Sequence, residues 1–503
     1  MRAIPDSRCG PGCWSRARAP NLSGGTWAST PTFRCRGWWN TAHGGKAPWT
    51  GRRTRQGAGA AGENPPQRRW ARVLIRDPVH GDIYLTPVEA DLLDAAEVQR
   101  LRGIKQTGTA YLIYPGCVHT RFDHSLGTLW LAKRILANLR HKGFRIDRDA
   151  ETVVTAAALI HDVGHIPFGH TLEDEAGLFP RHDRARRLEA FLDGTDLARR
   201  LATHGLLDPV RALLSGRDHP DVRPWMRQVV TSTVDADMLD YLRRDAYFSG
   251  LGQRYDDRIF SYFIIHQDQL AVSLFKHQVE RSDARSDVLT LLRLRYLLTE
   301  RIYLHHTKVI AGAMLAKGVE RLVAQGLKES DLYTWQDADL LAALRQADDP
   351  LPRRMADAVS RRRLLKRAYV LAPPHVDPAA RRRLIDRYAG PRNAARRSAL
   401  EAQLARELGL DEGDVIIHCP ERSMFKEVKV LVTDRSGGLT PLDALDEPAL
   451  SEARSLARRY GDLWRLYVLT PPEAAPRARE LCREVLGVPS SYEPDDAAGS
   501  DAV

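Results

Sequence analysis

No apolar run in this 503-residue sequence approaches the roughly 18 residues that suggest a membrane-spanning helix. The N-terminus also lacks the apolar stretch of a secretory signal, so a soluble, cytoplasmic protein is expected. Cysteine is sparse, with six in the chain. Cys9 and Cys13 have no second pair at a zinc-site spacing, which leaves unpaired thiols as the expectation there. An excess of one charge is missing too, once the first residues are set aside. Residues 1–70 hold 12 Lys and Arg against Asp6 and Glu63, which is +10 of the chain's formal +11. The basic balance therefore belongs to one end of the chain, and it does not make the rest a nucleic-acid surface.

That end also carries Cys35, six of the ten tryptophans and many Gly and Pro, without helical or strand periodicity. We expect a disordered basic tail over 1–70, an upstream extension outside the functional protein. "GAGAAG" (57–62) matches the glycine pattern of dinucleotide sites, but no strand precedes it and "ENPPQ" follows, so it carries no cofactor expectation. Residues 489–503, with Glu493, Asp495, Asp496 and Asp501, read as a loose acidic end.

Between these ends, 43% hydrophobic residues across the chain suffice for a substantial core. "RVLIRD" and "DIYL" read as strands joined by a "PVHG" turn. From about 87 to 345 the apolar spacing is helical, most clearly in 126–139, 151–165 and 286–306. After about 365 "VIIHC", "EVKVLV" and "RLYVLT" read as strands between helices. The expected class is mainly α: a helical domain over 71–345, then a smaller α+β portion over 346–488.

The stretch "LIHDVGHIPFGHTLEDE" (159–175) concentrates His161, Asp162, His165, His170, Glu173, Asp174 and Glu175. His161 and Asp162 follow a run that is apolar on all sides, where a bare carboxylate is costly to desolvate unless a cation or donors meet it. Neighbouring His and Asp can grip one ion from two directions, with further ligands from elsewhere. Nitrogen and oxygen donors suit Mn, Fe, Zn or Mg without choosing among them. The plainer reading is a polar cluster at a helix C-terminus ended by Gly164.

The segments "IRDPVHGDIYLTP", "QRLRGIKQTG", "YPGCVHTRFDHSLGT", "LIHDVGHIPFGH" and "DADMLDYLRRD" occur in the order and approximate spacing of the HD-domain phosphohydrolases. Within them the chain resembles the deoxynucleoside triphosphate triphosphohydrolases, over roughly 72–310 and more weakly beyond. No sterile-alpha-motif domain, which the animal enzyme of that group carries, is visible. The resemblance implies an HD-domain helical core and a divalent metal held by His124, His161, Asp162 and Asp237. Asp123, Asp235 and Asp240 have plainer roles as helix caps or surface charges, and His119 and His141 look peripheral.

Hydrolysis at an α-phosphorus needs an activated water, neutralised phosphoryl oxygens and a proton for the departing 5′ oxygen. The resemblance gives His165 a contact to the α-phosphate and places His170 near the leaving oxygen with Glu173 as its carboxylate partner. His182 matches a further active-site histidine, and Arg121 and Lys308 are expected on phosphate. Gln106 and Asp245 match residues that read the sugar 3′-OH, and Tyr241 the tyrosine that crowds the 2′ position. Thr107 stands where the animal enzyme has a leucine and Met238 where it has a phosphate-contacting lysine, departures that bear on triphosphate selection. Asp94, Gln99 and Arg102 fall where that enzyme binds an activating nucleotide between subunits, which implies a homo-oligomer. The same segment also reads as a helix with exposed charges. The basic runs 361–367 and 381–397 offer a phosphate, RNA or subunit contact, or a solvated face. The expected function is metal-dependent hydrolysis of dNTPs to deoxynucleoside and triphosphate. The alternatives are another nucleotide or phosphoester substrate, or a nucleic-acid-binding regulatory protein with a weakly active pocket.

Overall fold

The computed structural model describes residues 73–421, 430–445 and 450–492. The expectations for the basic tail, its cysteines and its glycine run, and for most of the acidic end, lie outside the described residues. So does the first half of "EVKVLV".

The described chain opens with a hairpin, β1 (Val73–Asp77) and β2 (Gly81–Leu85). Its turn is built by Asp77, whose Oδ1 accepts the N–H groups of Val79 and His80 at 2.9 and 2.7 Å. Two short helices follow, α1 (Pro87–Leu93) and α2 (Ala96–Arg100). Then come the helices that carry the site motifs, α3 (Arg121–His141) and α4 (Arg148–Ile160). The start of α3 is set by a capping box in which the Thr120 N–H donates to Asp123 at 2.8 Å and the Asp123 N–H donates back to Thr120 Oγ1 at 3.3 Å. Asp123 is thus a cap, as expected.

Along α3, Leu129, Ala132, Ile135, Leu136 and Leu139 are fully buried at helical spacing, and the helix packs against α4 on one side. Four short helices follow: α5 (Ala185–Leu192), α6 (Asp196–Thr203), α7 (Leu207–Ser215) and α8 (Pro224–Val230). Against the other side of α3 lies α9 (Ala236–Ser249). Asp235 caps α9, accepting the Met238 N–H at 2.7 Å. The approach of α3 to α9 depends on Gly127, where a Cβ would stand 1.8 Å from Asp240 Oδ1.

A hairpin of β3 (Phe263–His266) and β4 (Gln269–Val272), then a small one of β5 (Phe275–Lys276) and β6 (Val279–Glu280), leads into α10 (Ser282–Leu298). The helix expected over 286–306 is interrupted. Thr299–Tyr303 forms a wide turn in which the Leu304 N–H reaches back five residues to the Thr299 carbonyl at 2.9 Å, and α11 (His306–Ala324) starts afresh. The helix expected over 151–165 likewise ends early, at Ile160, so that His161 caps it and Asp162 lies just beyond.

Next come α12 (Asp337–Gln346) and α13 (Pro350–Ser360), which pack on each other and on α11. Their apolar faces form a second core with Ile166, Phe168 and Leu172 from the segment after α4. The expected α+β portion is present. β7 (Lys366–Leu371), β8 (Ile416–His418) and β11 (Leu466–Thr470) make an antiparallel sheet in the order β7-β11-β8, covered by α14 (Pro378–Tyr388), α15 (Ala394–Leu408) and α17 (Ala475–Leu486). Two of its strands go elsewhere. β9 (Leu431–Thr433) and β10 (Leu439–Pro441) extend the β3–β4 hairpin into a four-stranded sheet, and α16 (Leu450–Gly461) packs on α10. The described residues accordingly all fall in one compact unit. Among the described residues no helix is long and apolar enough to cross a membrane.

Candidate metal centre and active site

Three segments converge where α3 begins, α4 ends and α9 begins. His124 Nε2 lies 2.9 Å from Asp237 Oδ1, His161 Nε2 lies 3.7 Å from the same oxygen, and Asp162 reaches to 3.8 Å from His124 and 3.5 Å from His161. Three of these, His124, His161 and Asp237, have ligand atoms all within 4.8 Å of one another, close enough to share one ion.

The ring environments fit a cation. His161 donates from Nδ1 to the Ala158 carbonyl at 2.9 Å, which turns the Nε2 lone pair inward, and that buried nitrogen has no hydrogen-bond partner. His124 Nδ1 is held by Asp240 Oδ2 at 2.7 Å. Although burial works against it, the carboxylates of Asp237 and Asp240 on its two nitrogens push His124 up to about 10. A dication would take that proton's place. Despite its burial, Asp162 is held well below the usual carboxylate range by Arg121 and the neighbouring imidazoles.

Asp240 is where the structure corrects the sequence reading. It is neither a cap nor a surface charge but fully buried. It accepts from His124, from His80 Nε2 at 2.6 Å and from Arg244 Nε and Nη2 at 2.8 and 3.0 Å, and Arg244 reaches on to Asp77 at 2.8 Å. This row fixes the tautomer and orientation of His124, as partners of ligating histidines do. His80 in the hairpin turn was missed; its signal was a histidine inside a tight turn between Asp77 and Asp82. Asp240→Asn should weaken metal binding about 10- to 100-fold, measured by titration against a competing chelator. Unchanged affinity would reduce Asp240 to an ion-pair partner of Arg244.

Beside this centre stand His165, His170 and His182. His165 stacks on His182 at 3.6 Å between ring centroids, and His170 meets both edge-on. Room for His165 comes from Gly169, whose absent Cβ would lie 2.5 Å from its Nδ1. Burial, with Arg121 and His182 near, pushes His165 well below the usual imidazole range, so it is neutral. Burial also lowers His170. The partner expected for His170 is corrected: its Nδ1 pairs with Asp174 at 2.8 Å, not with Glu173. Residues 171–175 form a wide turn, with the Ala176 N–H on the Thr171 carbonyl, and it brings the fourth residue onward over His170. Glu173 instead faces His182 Nδ1 at 3.3 Å and is paired with Arg187.

The expected phosphate contacts are both engaged. Arg121 Nη1 donates to Asp162 at 2.7 Å, and Lys308 forms a buried pair with Glu175. Met238 points into the core. Asp237, Tyr241 and Asp245 follow one another at i, i+4, i+8 along α9. Asp245 accepts from His119 Nε2 at 2.8 Å and from the Tyr303 hydroxyl at 2.6 Å. His119 is therefore not peripheral: it is buried, stacked on Phe248 and bonded to Asp245. Tyr303 was missed because the wide turn that aims it was hidden in a helical pattern. Gln106 Oε1 and Thr107 Oγ1 are buried without a partner. On the outer face Gln99 Nε2 donates to the Leu93 carbonyl, Arg102 Nε donates to Gln99 at 2.8 Å, and Asp94 is exposed at the end of α1.

The HD domain family model matches residues 121–242, from Arg121 at the start of α3 past Asp237, and the HD associated region matches 288–496. The chain belongs to the HD-domain family. It is 29% identical to a protein of Methanocaldococcus jannaschii over 81% of each chain. It is 26% identical to the deoxynucleoside triphosphate triphosphohydrolase SAMHD1 homolog of Dictyostelium discoideum, over 52% of this chain and 50% of that protein. The HD-domain chain thus spans about half the length of that relative. A phosphohydrolase structure from Bacteroides thetaiotaomicron shares the fold, with a TM-score of 0.60, 23% identity, and coverage of 79% of this chain and 99% of that one.

Proposed function

We propose that this protein hydrolyses deoxynucleoside triphosphates to deoxynucleoside and inorganic triphosphate, with a divalent metal held by His124, His161, Asp162 and Asp237. The observation that carries the reading is the alignment along one face of α9, from Asp237 in the metal cluster through Tyr241 to Asp245 with its partners His119 and Tyr303. A nucleoside laid along that face has its 3′-OH at Asp245 and its 5′ end toward the histidines.

A bound divalent cation supplies Lewis acidity and an acidified water. Asp240 and the Ala158 carbonyl hold the two ligating imidazoles in register. Neutral His165 faces the α-phosphate, and Arg121, fixed by Asp162, adds a permanent positive charge beside it. In its protonated form, which Asp174 on Nδ1 favours against the burial that lowers it, His170 gives its Nε2 proton to the departing 5′ oxygen. Phosphate contact by Lys308 requires exchange of its Glu175 partner. SAMHD1-type relatives, named as deoxynucleoside triphosphate triphosphohydrolases, add support at 25–26% identity. Incubation with Mn²⁺ and each dNTP, with separation of nucleoside, monophosphate and triphosphate products, tests the reading. Release of monophosphate and pyrophosphate, or cleavage confined to other phosphoesters, overturns it.

One further observation favours a second reading. The nitrogens of His165, His170 and His182 also lie within 4.8 Å of one another, an arrangement able to hold another ion.

A further inference from the structure

We propose that Asp337, with Arg100, is a positioning residue that clamps the histidine-bearing loop 163–170 against the substrate-facing segment 104–107. Asp337 opens α12, inside the HD associated region and far in sequence from the HD motifs. Its two carboxylate oxygens are divided between the two segments. Oδ1 accepts the Phe168 N–H at 2.9 Å and Oδ2 accepts the Lys105 N–H at 3.0 Å, with the Lys105 ammonium 3.8 Å away. The residue is buried, so both bonds form out of competition with water.

Phe168 is a place where such a hold is needed. Its backbone has φ of +52°, which a bulky residue rarely adopts unless its surroundings impose it. Its ring lies in the second core, whose remaining walls include Leu340 of α12 and Met355 of α13. The residues on either side of that turn are Ile166, in the same core, and Gly169, against which His165 packs. The N–H that Asp337 captures is therefore two residues from His170 and three from His165.

Arg100 holds the other end of the loop. Its Nη2 donates to the carbonyls of Val163 and His165 at 2.8 and 2.7 Å, and Nη1 donates to the Trp335 carbonyl at 3.0 Å. Gly103 completes the junction, since a Cβ there would stand 2.2 Å from the Gln336 side chain. Residues 335–337 thus dock simultaneously on 100–105 and on the loop. Gln106 follows the clamped Lys105 and donates its own N–H to the His119 carbonyl at 3.0 Å, so Asp337 is one of the bonds that hold it relative to His165 and His170.

The inference rests on the catalytic reading of His165 and His170. Asp337→Asn keeps the shape but turns an NH₂ group toward one of the two N–H donors, so one arm of the clamp is lost. Expected are a 10- to 100-fold fall in kcat with little change in KM, metal content equal to wild type, and a loss of less than about threefold when the same change is made in a His170→Ala background. Arg100→Lys, which keeps the charge but not the paired contacts, should behave alike. Unchanged kcat per folded molecule, or a full loss repeated in the His170→Ala background, overturns the proposal. Wild-type protein without turnover on any dNTP would remove the catalytic reading instead. The clamp is then judged by hydrogen exchange, where at least one of the Phe168 and Lys105 amides should exchange at least tenfold faster in Asp337→Asn than in wild type; equal rates at both reject it.

Discussion

Asp162→Ala is expected to abolish turnover and most bound metal while leaving a folded, helical protein. Asp162 links the two proposed ligand histidines to His165 and Arg121. Its oxygens lie 3.8 Å from His124, 3.5 Å from His161, 3.2 Å from His165 and 2.7 Å from Arg121. Removing it takes away a ligand and also leaves the Arg121 guanidinium buried opposite two imidazoles, a field that repels a dication. The unpaired cation costs stability as well, on the order of 3–5 kcal/mol if nothing relaxes around it. The helical core does not depend on it, because α3, α4 and α9 pack through apolar residues on their other faces. Metal per chain and a far-ultraviolet circular dichroism spectrum, taken together, check this. Full metal occupancy in the variant would remove Asp162 from the ligand set.

His170→Ala should act differently, with metal content retained and turnover lowered by roughly 10²- to 10⁴-fold. The side chain is held by Asp174 and contacts none of the four proposed ligands by hydrogen bond. Asp174→Ala should cost less, since it orients and charges the ring without itself transferring the proton. Glu173→Ala should act through His182 and Arg187, with a distinct profile. Two results would change the assignment. Full activity on every dNTP would end the role of His170 as proton donor. Loss of one of two bound metal equivalents would favour an ion among His165, His170 and His182.

Of the four proposed ligands, His161 and Asp162 stood out in the sequence at the end of a plainly apolar helix, whereas His124 and Asp237 came from the resemblance of their motifs. Asp240 could not be placed the same way. Three residues after Asp237 it looks like one more charge on a helix, and only the close approach of α3 through Gly127 shows that it faces His124. The pairing of His170 went to the wrong neighbour because i+3 and i+4 both lie on its face and residue type does not choose between two adjacent acids. Tyr303 was hidden by a wide turn. Arg100 and Asp337 act through backbone atoms of remote segments, and a sequence carries no pattern for that. The α+β portion was legible as alternating strands, but not the departure of β9 and β10 to join β4, since edge pairing is decided by partners far along the chain.

That departure also bears on how the protein is made. The Leu274 and Phe275 N–H groups donate to Thr433 Oγ1 across 159 and 158 residues. At about 5–20 residues per second, a ribosome needs roughly 8–30 s to deliver the second partner after the first. Through that interval the nascent β4 edge has no neighbour on its outer side, open to pairing with another chain. Translation slowed between these segments should therefore raise the fraction of chains lost to aggregation, whereas a pause after β10 should not.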